Sequence, residues 1–173
     1  MLKKHAELID AMIEYDRGDT ARIQHFIKVH NLAATIGELE GLDENTLFIL
    51  ETAAILHDIG IRKSEEKYGS ASGKYQEIEG SAEAEKLLLK TGGYSDEQIQ
   101  RVKYLIAHHH TYNEINGIDY QILVEADFLV NLFELKEKYK AIMAVQKNIF
   151  RTTTGIKFLN NMFDKEYRYS GGK

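Results

Sequence analysis

Apolar residues recur at helical spacing along most of this 173-residue chain. One stripe combines Leu8, Ile9, Met12 and Ile13, and a second runs from residue 23 to residue 36. Residues three or four positions apart share one face of a helix, whereas the alternation of half-buried strands is absent here. The chain also contains no proline, the residue that most strongly breaks a helix. This pattern predicts an all-α fold.

Capping residues indicate where further helices begin and end. Asp43 is a suitable N-cap for a third helix that ends in "AAILHDI", and Gly60 is a suitable residue to end it. Residues 60–75 are polar and rich in Gly, Ser and Lys, which predicts a loop. Ser95 and Gln98 form a capping-box pattern. The other helices are expected near residues 79–90, from Ser95 to the "IAHHH" run, over residues 119–136, and after residue 136 with a break near residues 152–155.

Composition limits the classes of function. The net charge of −5 argues against duplex nucleic acid as a binding partner, because such proteins usually carry an excess of basic residues. No apolar run is long enough to cross a bilayer and no signal-peptide pattern is present, so a soluble, cytoplasmic protein without a membrane partner is expected. No repeat or linker divides residues 1–173, which predicts a single domain, and no stripe identifies an oligomer interface. Because cysteine is absent, a metal site would need imidazole and carboxylate ligands.

The segment "AAILHDIG" places His57 and Asp58 at the end of an otherwise apolar helix. A carboxylate there faces the negative end of the helix dipole, which costs about 0.3–1 kcal/mol before desolvation. Something positive should therefore lie nearby. Arg62 or Lys63 could pair with Asp58 while His57 is an ordinary core histidine, or both side chains could bind a metal. From this pair alone, both interpretations remain open.

Two further ionisable residues favour the metal. His25 lies among apolar neighbours in the second helix, and Asp127 lies in the apolar run "ILVEADFLVN". A buried aspartate requires a partner of opposite charge. A cation shared by His25, His57, Asp58 and Asp127 explains why three apolar helices each carry an ionisable side chain. Two nitrogens and two oxygens suit a borderline or hard divalent metal.

The ordered set His25, His57-Asp58 and Asp127, with "HDIG" ending a buried helix and "EADFLVN" following a histidine cluster, resembles the HD-domain metal-dependent phosphohydrolase superfamily. The resemblance covers about residues 19–135, and residues 136–165 are expected to add C-terminal helices. It implies a compact multi-helix HD-domain fold in which these four residues are the primary metal ligands. His30 falls where the family needs no ligand.

Family members with two metals add histidines from later helices, and "AHHHT" offers His108, His109 and His110 in one such position. Successive helical residues point about 100° apart, so at most two of the three should reach the site. We expect His109 first and His108 second. Where two-metal members commonly have another histidine, this chain has "YQEIEGSA", with Gln76 near that point. Glu77 or Glu79 could substitute, and either could equally be a solvated surface charge, so one or two metals are expected.

The resemblance implies a hydrolase that acts on a phosphoester of a small phosphorylated metabolite, with a nucleotide favoured. A divalent metal (Fe, Mn, Zn, Co or Mg) would activate water, Asp58 would bridge two metals or orient that water, and Arg62 and Lys63 would contact the phosphate. Two alternatives remain: a di-iron oxygenase of the same family, and a module that binds a nucleotide without turnover. The substrate itself cannot be read from the sequence.

Overall fold

The structure, a computed structural model, describes residues 1–164, and this range contains nine helices and no strand. The helices are α1 (Lys3–Tyr15), α2 (Thr20–Leu39), α3 (Glu44–Leu56), α4 (Gly60–Tyr68), α5 (Gly73–Thr91), α6 (Asp96–His108), α7 (Ile118–Glu134), α8 (Tyr139–Ile149) and α9 (Thr153–Met162). The predicted all-α fold is confirmed. None of these helices combines the length and the apolar composition that crossing a membrane requires.

Helix α3 lies at the centre of the fold. All its residues from Ile49 to Leu56 are buried, and it packs against α1, α2, α6 and α7. Its start is the predicted one, because the Asp43 carboxylate accepts hydrogen bonds from the backbone N–H groups of Asn45 and Thr46. A helix surrounded in this way delivers the residues that follow its last turn to a junction between several other helices.

The segment after α3 differs from the prediction. Residues 60–68 form helix α4, although composition had predicted a loop from residue 60 to residue 75. Gly60 is the first residue of α4, and it does not have the left-handed backbone expected of a residue that ends α3. Helix α5 then begins at Gly73, earlier than the predicted start near residue 79.

Close packing of α4 against α5 explains the glycine at position 60. A Cβ atom on Gly60 would lie 2.4 Å from the carbonyl oxygen of Gln76 and 2.8 Å from the backbone nitrogen of Gly80. Real Cβ atoms do not approach backbone atoms so closely, so the two helices could not pack here with any side chain at this position.

The histidine run lies where α6 ends. Ser95 and Gln98 form the predicted capping box at its start, and the last helical residue is His108. His109 and His110 therefore lie in the turn beyond the helix. The Tyr120 hydroxyl of α7 donates to the carbonyl oxygens at both ends of this turn, those of His108 and Thr111. These bonds fix the turn against α7.

Helices α8 and α9 are joined at the break predicted near residues 152–155. Thr152 is the N-cap of α9, and its hydroxyl accepts from the backbone N–H of Gly155. The buried Glu125 of α7 accepts hydrogen bonds from the backbone N–H groups of Arg151 and Thr152, at 2.6 and 2.9 Å. This carboxylate fastens the C-terminal helices to α7. The predicted end of these helices, at residue 165, lies outside the described residues.

Candidate metal centre

Four side chains from three helical segments converge in one place. His25 comes from α2, His57 and Asp58 follow the end of α3, and Asp127 comes from α7. The two imidazole Nε2 atoms are 3.2 Å apart, and Nε2 of His25 lies 3.1 Å from Oδ1 of Asp127 and 3.6 Å from Oδ2 of Asp58. Nε2 of His57 lies 3.4 Å from Oδ2 of Asp58 and 3.6 Å from Oδ1 of Asp127. The structure thus brings together the four residues proposed from sequence.

On the side of each imidazole ring that faces away from the cluster, a hydrogen bond fixes which nitrogen carries the hydrogen. Nδ1 of His57 lies 2.9 Å from the carbonyl oxygen of Ala54, and Nδ1 of His25 lies 2.9 Å from Oε2 of Glu134. A carbonyl and a carboxylate can only accept, so both Nδ1 atoms carry the hydrogen. In the neutral rings the inward Nε2 atoms are then bare lone pairs that face each other and two carboxylates.

Burial disfavours the charged forms of these side chains, but the attraction between the imidazoles and the carboxylates outweighs that effect. Burial would lower the pKa of the His57 imidazole, yet the carboxylates of Asp58 and Asp127 raise it to about 9. Burial would raise the pKa values of the two carboxyl groups, yet the neighbouring histidines, chiefly His57 for Asp58 and His25 for Asp127, lower both. The cluster therefore needs positive charge at its centre, which either a proton or a metal ion can supply.

The second oxygen of Asp58 faces another group of donors. Oδ1 of Asp58 lies 3.5 Å from Nε2 of His109. Nδ1 of His109 lies 2.8 Å from the carbonyl oxygen of Ile106 and therefore carries the hydrogen, so Nε2 is again a bare lone pair. This buried nitrogen has no hydrogen-bond partner in the described part of the chain. His110 joins Asp58 and His109 in a second set of potential ligands.

An open cleft of about 380 Å³ leads from the surface to these residues. Its floor includes His25, Asp58 and Asp127, and Arg22 contributes the positive charge of its wall. The Arg22 guanidinium is held by Glu65, with Nη2 3.2 Å from Oε2. The cleft is therefore large enough for a small ligand and presents a cation beside the carboxylate and imidazole groups.

The sequence profile of the HD domain matches residues 22–146. The chain belongs to the HD-domain family. It is also similar to the crystal structure of a protein described as a predicted HD superfamily hydrolase from an uncultured Thermotogales bacterium, with 26% identity, a TM-score of 0.68, and 95% of this chain and 87% of that chain covered. No curated protein matches the chain. The family and the structural neighbour together indicate a metal-dependent hydrolase.

The donor set of this HD domain fits a divalent metal ion. Ligand atoms bound at about 2.1 Å to one ion lie roughly 3.0–3.5 Å from each other, close to the separations among His25, His57, Asp58 and Asp127. The carboxylates are ionised, and the imidazoles present bare nitrogens once a metal ion displaces the proton between them, as metal ligands must. His25, His57 and His109 each donate from Nδ1 to a protein oxygen, the arrangement that orients histidine ligands toward a metal.

The histidine run of this HD domain places His109 and His110 at the centre, but not His108. Nδ1 of His108 lies 2.7 Å from the carbonyl oxygen of Tyr104, and the His108 ring stacks on the Tyr104 ring. The spacing of 100° per residue applies only within the helix, and α6 ends at His108. The next residues turn toward the cleft, so His110 takes the place expected for His108.

Gln76, which lies at or near the point where the resemblance places a further histidine, is buried. Its amide nitrogen donates to the carbonyl oxygen of Ala71, and its amide oxygen accepts from Nε2 of His110 at 2.9 Å. Glu77 accepts from the backbone N–H of His110, while Glu79 pairs with Lys67 at the surface. Neither glutamate therefore takes the place of a histidine ligand here, and Gln76 positions His110 instead.

Arg62 and Lys63 do not line the cleft. Both belong to α4 and pair with Glu66 of the same helix, and Arg62 also donates to the carbonyl oxygen of Tyr15. The expectation that they lie at the cleft mouth depended on a loop, and the helix turns them to the surface. The cation in the cleft is Arg22, which sequence reasoning missed although it lies one helical turn before His25.

Proposed function

We propose that this HD-domain protein is a metal-dependent phosphohydrolase that acts on a small phosphorylated metabolite, with a nucleotide as the favoured class. One observation carries the proposal: the bare Nε2 atoms of His25 and His57 and the carboxylates of Asp58 and Asp127 converge on one point at the floor of an open cleft. In this proposal these four residues hold the metal, and His109 and His110 with Asp58 hold a second ion.

A bound divalent ion supplies polarisation of a phosphoryl oxygen and a water of lowered pKa. The protein supplies position. Glu134 orients His25 and the carbonyl of Ala54 orients His57, so that both rings keep Nε2 toward the cleft. Asp58 presents one oxygen to each ligand group and is placed either to join them or to orient an attacking water.

Arg22 supports a phosphorylated substrate. Phosphoryl transfer needs fixed positive charge near the equatorial oxygens, and Arg22 is the cation that lines the cleft in the described part of the chain. Its planar guanidinium can bind two phosphate oxygens at once. The cleft volume of about 380 Å³ suits a compact metabolite rather than a polymer.

A di-iron oxygenase is the second candidate. The observation that favours it is the second ligand group, in which the unpartnered Nε2 of His109 faces the far oxygen of Asp58. Two irons per chain and uptake of oxygen with an organic substrate, without phosphate release, would support this candidate over the phosphohydrolase.

Phosphate release tests the main proposal. The protein is incubated with nucleoside mono-, di- and triphosphates and with sugar phosphates, and Mn²⁺, Fe²⁺, Co²⁺, Zn²⁺ or Mg²⁺ is added singly. We expect turnover of at least one nucleotide with at least one metal. The Asp127→Asn variant should lose activity by about 100-fold or more, because a ligand is lost and the neighbouring histidines are left unpaired.

The matched control is Asp96→Asn, which makes the same chemical change at an exposed position in the first turn of α6. It should retain the activity of the parent protein. Absence of phosphate release with every metal, or full activity of Asp127→Asn, would contradict the proposal. Tight nucleotide binding in calorimetry with no product after long incubation would indicate a binding module.

A further inference from the structure

A second cluster of ionisable side chains lies where α1, α2 and α3 meet. Nε2 of His30 lies 2.8 Å from Oε2 of Glu51, and Nδ1 of His5 lies 3.1 Å from the same oxygen. His5 is fully buried, and His30 and Glu51 are less than a tenth exposed. Two imidazoles from different helices thus share one carboxylate oxygen in the interior. Nothing in the proposed hydrolysis uses these residues.

This cluster is separate from the HD centre, the group of His25, His57, Asp58 and Asp127 with the adjoining His109 and His110. Both groups are built on α2 and α3. His30 follows His25 by five residues and Glu51 precedes His57 by six, which corresponds to about 8–9 Å along each helix axis. The same spacings rotate the side chains by roughly 120–140° around the helices, so they face another side. One ion cannot bind both clusters.

The hydroxyl of Thr52 fixes the tautomer of His5. Thr52 Oγ1 donates its hydrogen to the carbonyl oxygen of Phe48, at 2.7 Å. At its 3.3 Å contact with His5 the same oxygen must therefore accept, so Nε2 of His5 carries a hydrogen. In the neutral ring, Nδ1 is then a bare lone pair. This buried Nδ1 has no hydrogen-bond partner in the described residues, although it lies 3.1 Å from Oε2 of Glu51.

A nitrogen lone pair that lies 3.1 Å from a carboxylate oxygen is unfavourable unless a cation is bound beside both atoms. The carboxylate is ionised, because His30 and His5 lower the pKa of Glu51 to about 2 although burial acts in the opposite direction. The His5 ring cannot easily turn away, since it stacks on Phe48 with ring centroids 4.9 Å apart. A cation at this position, either a bound metal ion or an additional proton, would remove the repulsion.

The cluster is also accessible. His30 and Glu51 line an open cleft of about 490 Å³, whose other walls include Ile27, Asn31 and Glu38. None of the residues that line this cleft lines the cleft of the HD centre. An ion and a water could enter from this side without passing the proposed active site.

We propose that His5, His30 and Glu51 bind a divalent transition metal of the zinc type, separate from the ions of the HD centre. Two imidazole nitrogens and one carboxylate oxygen are ligands that zinc accepts, with a fourth position open to water from the cleft. Magnesium and calcium, which require mostly oxygen ligands, are excluded. The metal joins α1 to α2 and α3. This site does not depend on the reaction proposed above.

Anomalous diffraction tests the site in the unaltered protein. Crystals are soaked with micromolar zinc, and data are measured on both sides of the zinc absorption edge. We expect one peak between His5, His30 and Glu51, with bonds of about 2.0–2.2 Å. The HD centre is the internal control for metal uptake. A peak at the HD centre with none at the second cluster, or one that appears only at millimolar zinc, would overturn the proposal and assign the extra charge to a proton on His5.

Two variants give the same test in solution. Glu51→Gln keeps the shape of the side chain and removes its charge, and Glu38→Gln makes the same change at an exposed position of the same cleft. After dialysis against zinc, Glu51→Gln should contain one equivalent fewer than the parent protein by elemental analysis, and Glu38→Gln should contain the same amount. Equal zinc content in Glu51→Gln and the parent would refute the site. If Glu51→Gln does not fold, the crystal experiment decides alone.

Discussion

Three histidines of the HD centre share one arrangement of hydrogen bonds, and His110 differs because its Nε2–H donates to Gln76. His25, His57 and His109 each direct Nδ1–H to a protein oxygen and Nε2 to the cleft. His5, at the second cluster, has the opposite arrangement, with Nε2–H directed to Thr52 and Nδ1 left bare. In each case one accepting oxygen decides which nitrogen is free to bind a metal, and such partners cannot be identified from sequence.

At the residue scale, we predict that Arg22 contributes to substrate binding and Arg62 does not. Arg22→Ala should lower kcat/KM for the phosphorylated substrate by about 10–100-fold, because it removes a charge-assisted hydrogen bond inside the cleft. Arg62→Ala is the matched control, since this side chain faces the surface and should change kcat/KM by less than about 3-fold. Steady-state kinetics with thermal unfolding of both variants would check this. Equal losses would contradict the assignment of Arg22.

A second prediction at this scale concerns the buried Asp16. Burial, only partly offset by Arg22, raises the pKa of Asp16 to about 6. Because the pKa in the folded state exceeds the ordinary aspartate value of 3.8, the folded chain binds this proton more tightly, and stability falls as the pH rises from about 4 to about 6. Asp16→Asn should therefore increase the free energy of unfolding at pH 8 by roughly 1–3 kcal/mol and by about a third as much near pH 4.5.

Urea denaturation at the two pH values measures this effect. The control is Asp10→Asn, at an exposed position of α1. It should show no such dependence on pH. If Asp16→Asn is no more stable than the parent protein at pH 8, burial of the ionised Asp16 carboxylate does not destabilise the fold, and the prediction is wrong.

At the scale of elements, helix termini that carry a side-chain cap could be predicted from the sequence, whereas helix α4 could not. Asp43 and the Ser95–Gln98 pair have local signals, because a cap bonds to residues two or three positions away. Helix α4 has no apolar stripe, and its Gly60 resembles a terminator. The actual reason for that glycine is contact with α5, which is sixteen or more residues away and leaves no local signal.

The α4–α5 contact gives a prediction for Gly60→Ala. The new Cβ would meet backbone atoms 2.4 and 2.8 Å away, so we expect a loss of roughly 1–3 kcal/mol in the free energy of unfolding. Gly37→Ala is the matched control: it is also helical, and its nearest neighbours are the flexible ends of Leu47 and Leu50. That variant should stay within about 1 kcal/mol of the parent protein. A milder effect of Gly60→Ala than of Gly37→Ala in urea denaturation would contradict this account.

The attachment of α8 and α9 gives a second prediction at this scale. Glu125→Ala would leave the backbone N–H groups of Arg151 and Thr152 without an acceptor in a buried place. We expect a loss of about 3–5 kcal/mol in the free energy of unfolding. Glu85→Ala, which breaks a partly exposed pair with Lys103, should cost less than about 1 kcal/mol. Similar losses for both variants would show that Glu125 does not hold these helices.

At the scale of the whole molecule, the sequence predicted the four residues of the HD centre but not the cleft around them. His25 and Asp127 are ionisable residues in apolar helices, and this contrast with their neighbours, taken together with the His57-Asp58 pair, marks them as candidates. Arg22 and Glu134 lie near exposed helix ends and resemble surface charges. Their roles depend on contacts between helices far apart along the chain. Glu134 of α7 accepts from His25 of α2, 109 positions away, and Arg22 of α2 pairs with Glu65 of α4, 43 positions away.

Metal removal should lower the stability of the entire fold, because the proposed ligands join α2, α3 and α7. An ion present at 100 times its dissociation constant adds about 2.7 kcal/mol, or roughly 5–10 °C in Tm for a chain of this size. Far-UV circular dichroism suits this measurement, since the chain contains no tryptophan. We expect EDTA to lower Tm by this amount and Mn²⁺ or Zn²⁺ to restore it. A Tm that EDTA leaves unchanged would contradict metal binding by the purified protein.

Asp127→Asn and Glu51→Gln separate the two proposed sites in this measurement. Each variant should lose part of the increase in Tm that zinc produces, and the double variant should lose the sum of the two parts, because the ligand groups are independent. If either single variant abolished the whole increase, the two clusters would not be separate sites.

The hydrogen bonds of Tyr120 have a consequence for how proteins of this kind can diversify. Its hydroxyl holds both ends of the turn that carries His109 and His110, and the Tyr112 hydroxyl lies 3.3 Å from Nδ1 of His110. Residues 113 and 114, which follow, are exposed, so the segment can be lengthened, shortened or exchanged there with little strain on the cluster. A loop that recognises a different substrate can be inserted here while His109 and His110 keep their positions.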